Sequence, residues 1–290
     1  MILGAIQISK RSTRLRVAEV ETASSRRLID RSSLVSAELR NLERLTALLM
    51  VEIEAARDAG ASRIDVVAVR SLRGTRLLRL LDRVSRAAGA GGIRMPSATE
   101  NLAVDFVATT RPISDDLEGI VGVARVGESS SGVAVGAPGE PPVWVGSRPL
   151  GAATLTEKAR FSDPPLPNQI EAAVNGAIRR LGSLALPGHD RLLLSSPQAA
   201  VLERLAGPRI DRVSARHALD SILGQTGDDI AAWFGADSAQ ARLLPATIVC
   251  CLALAEVSGR PVEPRESDPV AGRAWLTAAG HGITGARRAA

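Results

Sequence analysis

The most constraining feature of the sequence is a pattern of short apolar strands and amphipathic helices that starts once and then starts again. Residues 3–8 form a short apolar run, and residues 15–20 alternate apolar and polar side chains with the period of a strand. Leucines and an isoleucine then recur at three- and four-residue steps from Leu39 to Ile53, as in an amphipathic helix. Residues 64–69 are the kind of β-branched strand that is buried on both faces of a sheet. This alternation predicts an α/β domain.

Further elements are predicted in this first half of the chain. Ser32 or Ser33 is the expected N-cap of the long helix, which should end at Gly60. A second helix is predicted over residues 75–88. Additional strands are expected near residues 27–29 and at 93–95.

The pattern restarts after a polar, acidic stretch at residues 111–118. Strands are predicted at 119–126, 132–135 and 143–150, followed by helices, a buried strand at 192–194 and a mostly helical tail. A chain of 290 residues suits two domains better than one. We therefore predict an internal duplication, with domains at 1–116 and 117–290 that face a central cleft.

Composition limits the core, the compartment and the partners. There is no tyrosine, and there are only three phenylalanines and three tryptophans, so the cores must be aliphatic. A net charge of +5 makes polyanions candidate partners, although arginines that merely solvate helix faces would give the same charge. No aromatic stacking motif indicates sequence-specific binding of nucleic acid. Cys250 and Cys251 lie in an apolar run and are expected to be buried thiols of a cytoplasmic protein, since no signal peptide or membrane span is predicted.

Two neighbouring segments carry a specific resemblance. Residues 147–157 read SRPLGAATLTE, and FSDPP follows at 161–165. They resemble the PLGAVRLTE and SDPP segments of the Ppx/GppA exopolyphosphatase family, in the same order and at the same distance. Residues 5–20 are similar to the family's opening, AIDIGTNSVRLLVAEV, and Ser267 and Asp268 fall in its SDxGLREG ending. The resemblance covers essentially the whole chain.

This resemblance implies a fold and a chemistry. The implied fold is that of actin-like ATPases, an α/β architecture of two RNase H-like domains that face a central cleft. The implied reaction is attack by water on a terminal phosphoryl group of polyphosphate or guanosine pentaphosphate. Such a site needs loop amides for the phosphates, a carboxylate-held magnesium ion and a glutamate base.

The first phosphate loop of the family, DIGTNS, aligns with residues 7–12. Gln7 stands in place of the aspartate, and a neutral amide lacks the charge that a hard cation prefers. The loop gains two cations and keeps a serine, so it is either an anion-binding loop or a solvated turn. In the first case, the phosphate contacts of this loop are Lys10, Arg11 and Ser12.

The second loop, DIGGGSTE, aligns with residues 125–132, where Arg125 replaces the aspartate. Gly127 is the one glycine of the three that is kept, and Glu128 adds a negative charge that opposes phosphate binding. The resemblance implies phosphate contacts at Arg125, Gly127 and Ser130. A third motif, TGGT, aligns with residues 195–198, where Pro197 removes an amide donor.

Two further positions match the family more closely. Arg73 aligns with an arginine that contacts phosphate in the cleft. Glu100 aligns with the first glutamate of the family's SGxEE, the proposed general base. A glutamate at the start of a helix is equally typical of N-terminal capping, so both interpretations of Glu100 stay open.

The leading hypothesis is a catalytically impaired member of this family that binds polyphosphate, a nucleotide or a protein partner in a basic cleft. No metal ligand is expected from the protein, and Mg²⁺ would act only if the chain is active. One alternative is a working exopolyphosphatase or guanosine pentaphosphate phosphohydrolase, with Glu100 as base and Arg73 and Arg125 as phosphate clamps. The other is an interaction protein that uses no ligand and pairs with an active paralogue. The family's habit of dimerising implies a homodimer or such a heterodimer.

Overall fold

The computed structural model describes residues 1–9, 13–21, 25–33, 35, 37–69, 72–196, 198–235, 238–278 and 287–288. The chain divides into two compact units. Unit 1 comprises Met1–Asn101 and Asp268–Gly282, and unit 2 comprises Leu102–Ser267 and Ile283–Ala290. The division falls at residues 101/102, whereas the sequence placed it at 116/117. The polar stretch that suggested the later boundary is instead a 3₁₀ turn, Arg111–Asp116, within unit 2.

Unit 1 is built on a mixed sheet of β1 (Ile2–Ile8), β2 (Thr13–Val20), β3 (Ser25–Ser33) and β4 (Arg63–Ala68). The described strands lie in the order β3-β2-β1-β4. β2 runs antiparallel to β1 and β3, while β4 runs parallel to β1. Along β2 the side chains of Leu15 and Val17 are buried and those of Arg14 and Arg16 are only partly buried, as the period of two requires.

The two helices that follow in unit 1 are α1 (Leu42–Asp58) and α2 (Arg76–Ala87). Their leucines face the sheet and form an aliphatic core with the strands. The predicted N-cap at Ser32 or Ser33 is wrong, because both serines pair with β2 as the end of β3. The predicted strand at 93–95 is also wrong: Arg94 alone bridges to Val67 in the parallel sense.

Unit 2 repeats this topology. Its strands are β5 (Val121–Val126), β6 (Ser131–Gly136), β7 (Trp144–Arg148), β8 (Arg191–Ser195), β9 (Val262–Arg265) and β10 (Arg287–Arg288). The described order is β10-β7-β6-β5-β8-β9, with β6 antiparallel to β5 and β7, and β8 parallel to β5. In both units the first strand lies between an antiparallel second strand, which pairs in turn with an antiparallel third strand, and a strand that runs parallel to it. Unit 2 adds β10 next to β7 and β9 next to β8. The predicted duplication and the α/β class are thereby confirmed.

The helices of unit 2 cover this second sheet. Helix α3 crosses the division between the units, and the others follow it in unit 2: α3 (Ala98–Thr110), α4 (Ala152–Ala159), α5 (Pro167–Gly182), α6 (Ala199–Ala206), α7 (Arg212–Ile222), α8 (Gly227–Phe234), α9 (Ser238–Ala241) and α10 (Leu244–Ser258). Every residue of α10 from Leu244 to Ala255 is buried. Cys250 and Cys251 lie within it as free thiols, as predicted, and burial raises the pKa of Cys250 to about 12. None of the described helices is long and apolar enough to span a membrane.

The last helix, α11 (Pro269–Ala278), belongs to unit 1 rather than to the unit that precedes it in sequence. Asp268 begins it by accepting hydrogen bonds from the amides of Val270 and Ala271 at 3.0 and 3.4 Å. The indole nitrogen of Trp275 donates to the carbonyl of Glu21 at 2.7 Å. Residues 268–278 therefore complete unit 1.

Candidate functional site

The first predicted phosphate loop connects β1 to β2. Gln7 is exposed near the end of β1 and lies opposite Arg14 in the antiparallel register. Lys10, Arg11 and Ser12 lie outside the described residues. What the structure describes at this loop is therefore its base, where a neutral amide occupies the position of the motif's aspartate.

The second predicted loop is a tight turn between β5 and β6. The amide of Gly127 donates to the carbonyl of Ser130 at 2.9 Å, so these two predicted phosphate contacts face each other across the turn. The carbonyls of Gly127 and Glu128 accept from the amides of Ala152 and Thr154 at 2.8 and 3.1 Å. Those amides are among the first N–H groups of α4, so the loop itself occupies donors that could otherwise hold an anion.

Close packing around Gly151 explains why the PLGA segment needs a glycine at this position. A Cβ atom at this position would lie 2.3 Å from the carbonyl oxygen of Gly127 and 2.5 Å from that of Glu128. Only a residue without a side chain lets the start of α4 approach the loop this closely. This part of the specific resemblance is therefore a packing requirement of the loop.

Arg125 lies at the end of β5, immediately before the loop. Its guanidinium forms an ion pair and a hydrogen bond with Asp105 on α3, and 33% of its side chain remains exposed against 1% for Asp105. A carboxylate that is buried to this degree needs such a partner. The motif's aspartate is thus replaced by a cation whose charge is balanced by a second, buried residue.

Sequence reasoning missed Asp105. The signal was present, because Asp105 is an acidic residue between apolar neighbours in the run Leu102–Val107, in the part of α3 where every residue is buried. A buried acidic residue of this kind predicts a buried cation as partner. Its identity as Arg125 follows from the fold and not from the sequence, since 20 residues separate the two.

Glu100 closes a reciprocal capping box at the start of α3. The amide of Ser97 donates to Oε2 of Glu100 at 2.5 Å, and the amide of Glu100 donates to Oγ of Ser97 at 3.1 Å. Oε1 lies 3.6 Å from the guanidinium of Arg94. Burial raises the pKa of Glu100, but the hydrogen bonds with Ser97 and the charges of Arg94 and Arg273 lower it more, so its pKa lies below the ordinary value. The carboxylate is a helix cap, and a lowered pKa makes it a weaker general base.

Arg73 lies in the turn that precedes α2. Its side chain is exposed, Gly74 follows at a positive φ of 74°, and Thr75 caps the helix by accepting from the amide of Leu78. Arg73 has no ion pair with a described acidic side chain. It is therefore positioned as a free surface cation at the start of α2.

The third predicted motif lies at the end of β8. Oγ of Ser195 is 2.7 Å from Oγ of Ser267, and the amide of Gln198 donates to Oγ of Ser196 at 3.1 Å. Both Ser195 and Ser196 are buried, and Pro197 lies outside the described residues. The hydroxyls of Ser195 and Ser267 therefore pair with each other, and the hydroxyl of Ser196 accepts from an amide at the start of α6.

The SDPP segment also connects helices within unit 2. Asp163 accepts from the amide of Gly227 at 2.7 Å, at the start of α8, and its other oxygen lies 3.1 Å from Arg242. Gln169 accepts from the amides of Ser162 and Leu166 at 3.2 and 2.9 Å. The segment thus joins α4, α5 and α8.

The predicted site residues are distributed over both units. Arg73 and Glu100 lie in unit 1, while Arg125, Gly127 and Ser130 lie together in unit 2. The residues at the two motif aspartate positions do not fit a magnesium ion: Gln7 is neutral, Arg125 is a cation, and the nearby carboxylate of Asp105 is already paired. Among the described residues, no cluster of three or more His, Cys, Asp or Glu side chains could hold a metal ion.

Solved structures share this fold along nearly the whole chain. The Ppx/GppA family member of Aquifex aeolicus superposes with a TM-score of 0.82 at 17% identity, covering 97% of this chain and 99% of its own. An exopolyphosphatase from Cytophaga hutchinsonii gives 0.78 at 12% identity, covering 98% and 99%. The chain has the fold of the Ppx/GppA proteins. An exopolyphosphatase-like protein gives 0.76 at 16% identity, covering 95% and 97%. No sequence-family model and no curated protein matches the sequence.

Proposed function

We propose that this chain is a Ppx/GppA-type protein that binds a phosphate-rich anion, polyphosphate or a guanine nucleotide, with hydrolysis impaired. The fold supports the family, since the matching structures cover nearly all of the chain. The specific sequence signature at 147–165 supports it as well.

The ion pair between Arg125 and Asp105 carries the proposal of impaired hydrolysis. Phosphoryl transfer depends chiefly on electrostatic stabilisation, for which the family's chemistry uses a carboxylate-held metal ion. Here a guanidinium stands where the motif has a carboxylate, and its own counter-ion is the buried Asp105. A divalent cation at this position would meet repulsion from Arg125, and the buried carboxylate of Asp105 is already paired with that guanidinium.

Glu100, the candidate general base, caps a helix. Glu100 holds the N-terminus of α3, and its pKa is lowered, which favours a cap over a proton acceptor. When bound to a substrate, magnesium would supply charge neutralisation of the phosphates. In the absence of protein ligands for it, the protein's own contribution is to hold the anion through cationic side chains.

The test combines binding and turnover on the same protein. We expect long-chain polyphosphate to raise the melting temperature, because a ligand that binds only the folded state stabilises it. We expect no magnesium-dependent release of phosphate. The informative control is Glu100→Gln, since glutamine also serves at this position of a capping box and so removes basicity while keeping the cap.

The two other candidate functions give different results. Phosphate release by the wild-type protein that Glu100→Gln abolishes would establish a working hydrolase and overturn the proposal. An unchanged melting temperature with both polyphosphate and guanine nucleotides would overturn it in favour of an interaction protein without a ligand.

A further inference from the structure

The exposed face of α2 is almost entirely arginine. Five residues of α2 are exposed, and four of them are arginines, at positions 76, 79, 83 and 86, with Ala87 as the fifth. Arg73 extends this row from the turn before the helix. We name Arg73, Arg76, Arg79 and Arg83 the arginine stripe. Their spacing of three or four residues places the helical members along one face.

No described acidic side chain neutralises the arginine stripe. The one acidic residue of α2, Asp82, pairs with Arg86 at 3.0 Å and also accepts from the amide of Ile93 at 2.6 Å. The two arginines of α7 differ: Arg212 and Arg216 pair with Glu256 and Glu171, respectively. The stripe therefore leaves four charges available to a ligand in the described part of unit 1.

This arrangement is unfavourable for the helix itself. Like charges three or four residues apart repel each other on a helix surface. Arg76 and Arg79 also lie in the first turns, where the helix dipole disfavours cations. An ordinary solvated face mixes acidic and basic residues, and α2 does not. Breaking a local rule without local compensation is typical of a functional surface.

The chemistry of the stripe selects its ligand. Guanidinium groups bind phosphates with two parallel hydrogen bonds. No aromatic side chain lies among the exposed residues of α2, so bases have no stacking platform. The apolar face of α2 is buried through Leu77, Leu78 and Leu81, so it cannot insert into a membrane.

The length of the stripe favours an extended ligand. With a rise of about 1.5 Å per residue, Arg76 and Arg83 are separated by about 10.5 Å along the helix axis. A row of cations of this length matches a chain of phosphates. The stripe also begins at Arg73, the residue that the sequence aligns with a phosphate contact of the cleft.

We propose that the arginine stripe binds the body of a long-chain inorganic polyphosphate. The inference rests on the proposed function and deepens it, because it selects long polyphosphate over a guanine nucleotide. Arg73 contacts the chain first, and Arg76, Arg79 and Arg83 contact phosphates farther along it.

Chain length separates this inference from the proposed function. Binding of tripolyphosphate and of long-chain polyphosphate is measured with the wild-type protein, with Arg79→Gln/Arg83→Gln, and with Arg179→Gln/Arg180→Gln. The last variant is the matched control, since it removes two exposed arginines from the end of α5 in unit 2. We expect the α2 variant to lose affinity for the long chain by about fivefold per arginine. Its salt dependence should weaken by about 0.7 per lost contact in the slope of log affinity against log salt.

Each of the other outcomes overturns either this inference or the proposed function. Equal affinity of the wild-type protein for the short and the long chain removes the stripe from binding but leaves the proposed function intact. An equal loss in the α5 control shows that only net charge matters, which also overturns the inference. A single-stranded nucleic acid that binds the stripe more tightly than polyphosphate overturns the choice of ligand. Failure of both polyphosphates to bind overturns this inference, and it overturns the proposed function itself only if guanine nucleotides also fail to bind.

Discussion

Removing Arg125 should reveal how strongly the fold depends on the pair that replaced the motif's aspartate. In Arg125→Met, Asp105 keeps a side chain that is 1% exposed but loses its cation. Breaking a buried ion pair from one side costs about 3–5 kcal/mol of stability. Because 33% of the Arg125 side chain reaches solvent, water can replace part of its effect. We therefore expect Arg125→Met to lose about 3 kcal/mol of stability, near the lower end of this range.

Replacing both partners should recover most of this loss. The double variant Asp105→Leu/Arg125→Met has no buried charge, and such replacements are often neutral or stabilising. We expect it to lie within about 1 kcal/mol of the wild-type protein, which makes it about 2–3 kcal/mol more stable than Arg125→Met. The control is Arg26→Met, whose pair with Glu19 is 75% and 34% exposed and should cost less than about 1 kcal/mol.

The assay is unfolding in urea, followed by tryptophan fluorescence and circular dichroism in parallel. Two probes are needed because a chain with two compact units can unfold in more than one step. If Arg125→Met unfolds within about 1 kcal/mol of the wild-type protein, Asp105 does not depend on this cation and the argument is refuted. A double variant no more stable than Arg125→Met would refute it equally.

Three further changes test other contacts, each measured by thermal unfolding. Gly151→Ala should reduce the stability of the protein by about 1–3 kcal/mol, because its Cβ would lie 2.3 Å from the carbonyl oxygen of Gly127. The control, Gly176→Ala, lies in open space on α5 and should stabilise the protein by up to about 1 kcal/mol. Equal effects of the two changes would contradict the packing argument. Glu100→Ala should cost about 1 kcal/mol and Glu100→Gln less. The pKa of Glu100 is lower in the folded protein than its ordinary value. The stability that its carboxylate contributes is therefore complete above the ordinary pKa and disappears as the pH falls through the pKa of the folded state. If Glu100→Ala is still destabilising in acid, the carboxylate is not the cap. Arg76→Glu should stabilise α2 by about 0.5–1 kcal/mol, and a lower melting temperature would show that Arg76 has a local partner.

The regular parts of the fold could be predicted from local patterns. The apolar run of β1 and the alternation in β2 were visible in the sequence, and Thr75 caps α2 where the predicted helix begins. Each of these elements buries one face against its neighbours, so its periodicity records its environment.

Elements that depend on distant partners were missed or misplaced. β3 extends to Ser33 because that residue pairs with Thr13, which no local pattern shows. β9 carries Glu263, Pro264 and Arg265 and does not resemble a strand, yet it pairs in parallel with β8. Tertiary pairing overrides local preference at such positions.

The candidate site was predictable in position but not in detail. Alignment of short motifs located Arg125 and Glu100, whereas their partners Asp105 and Ser97 became evident only in the structure. A motif identifies which residue stands at a position, and the fold decides which neighbour satisfies its charge.

The most direct test of the account is the magnesium dependence of polyphosphate binding. Affinity is measured for the wild-type protein in the presence of Mg²⁺ and in the presence of a chelator. If Arg125 and Asp105 have replaced the metal site, the chelator should leave binding unchanged or strengthen it slightly, because free Mg²⁺ screens the phosphates. Binding that requires Mg²⁺ and disappears with the chelator would contradict the account.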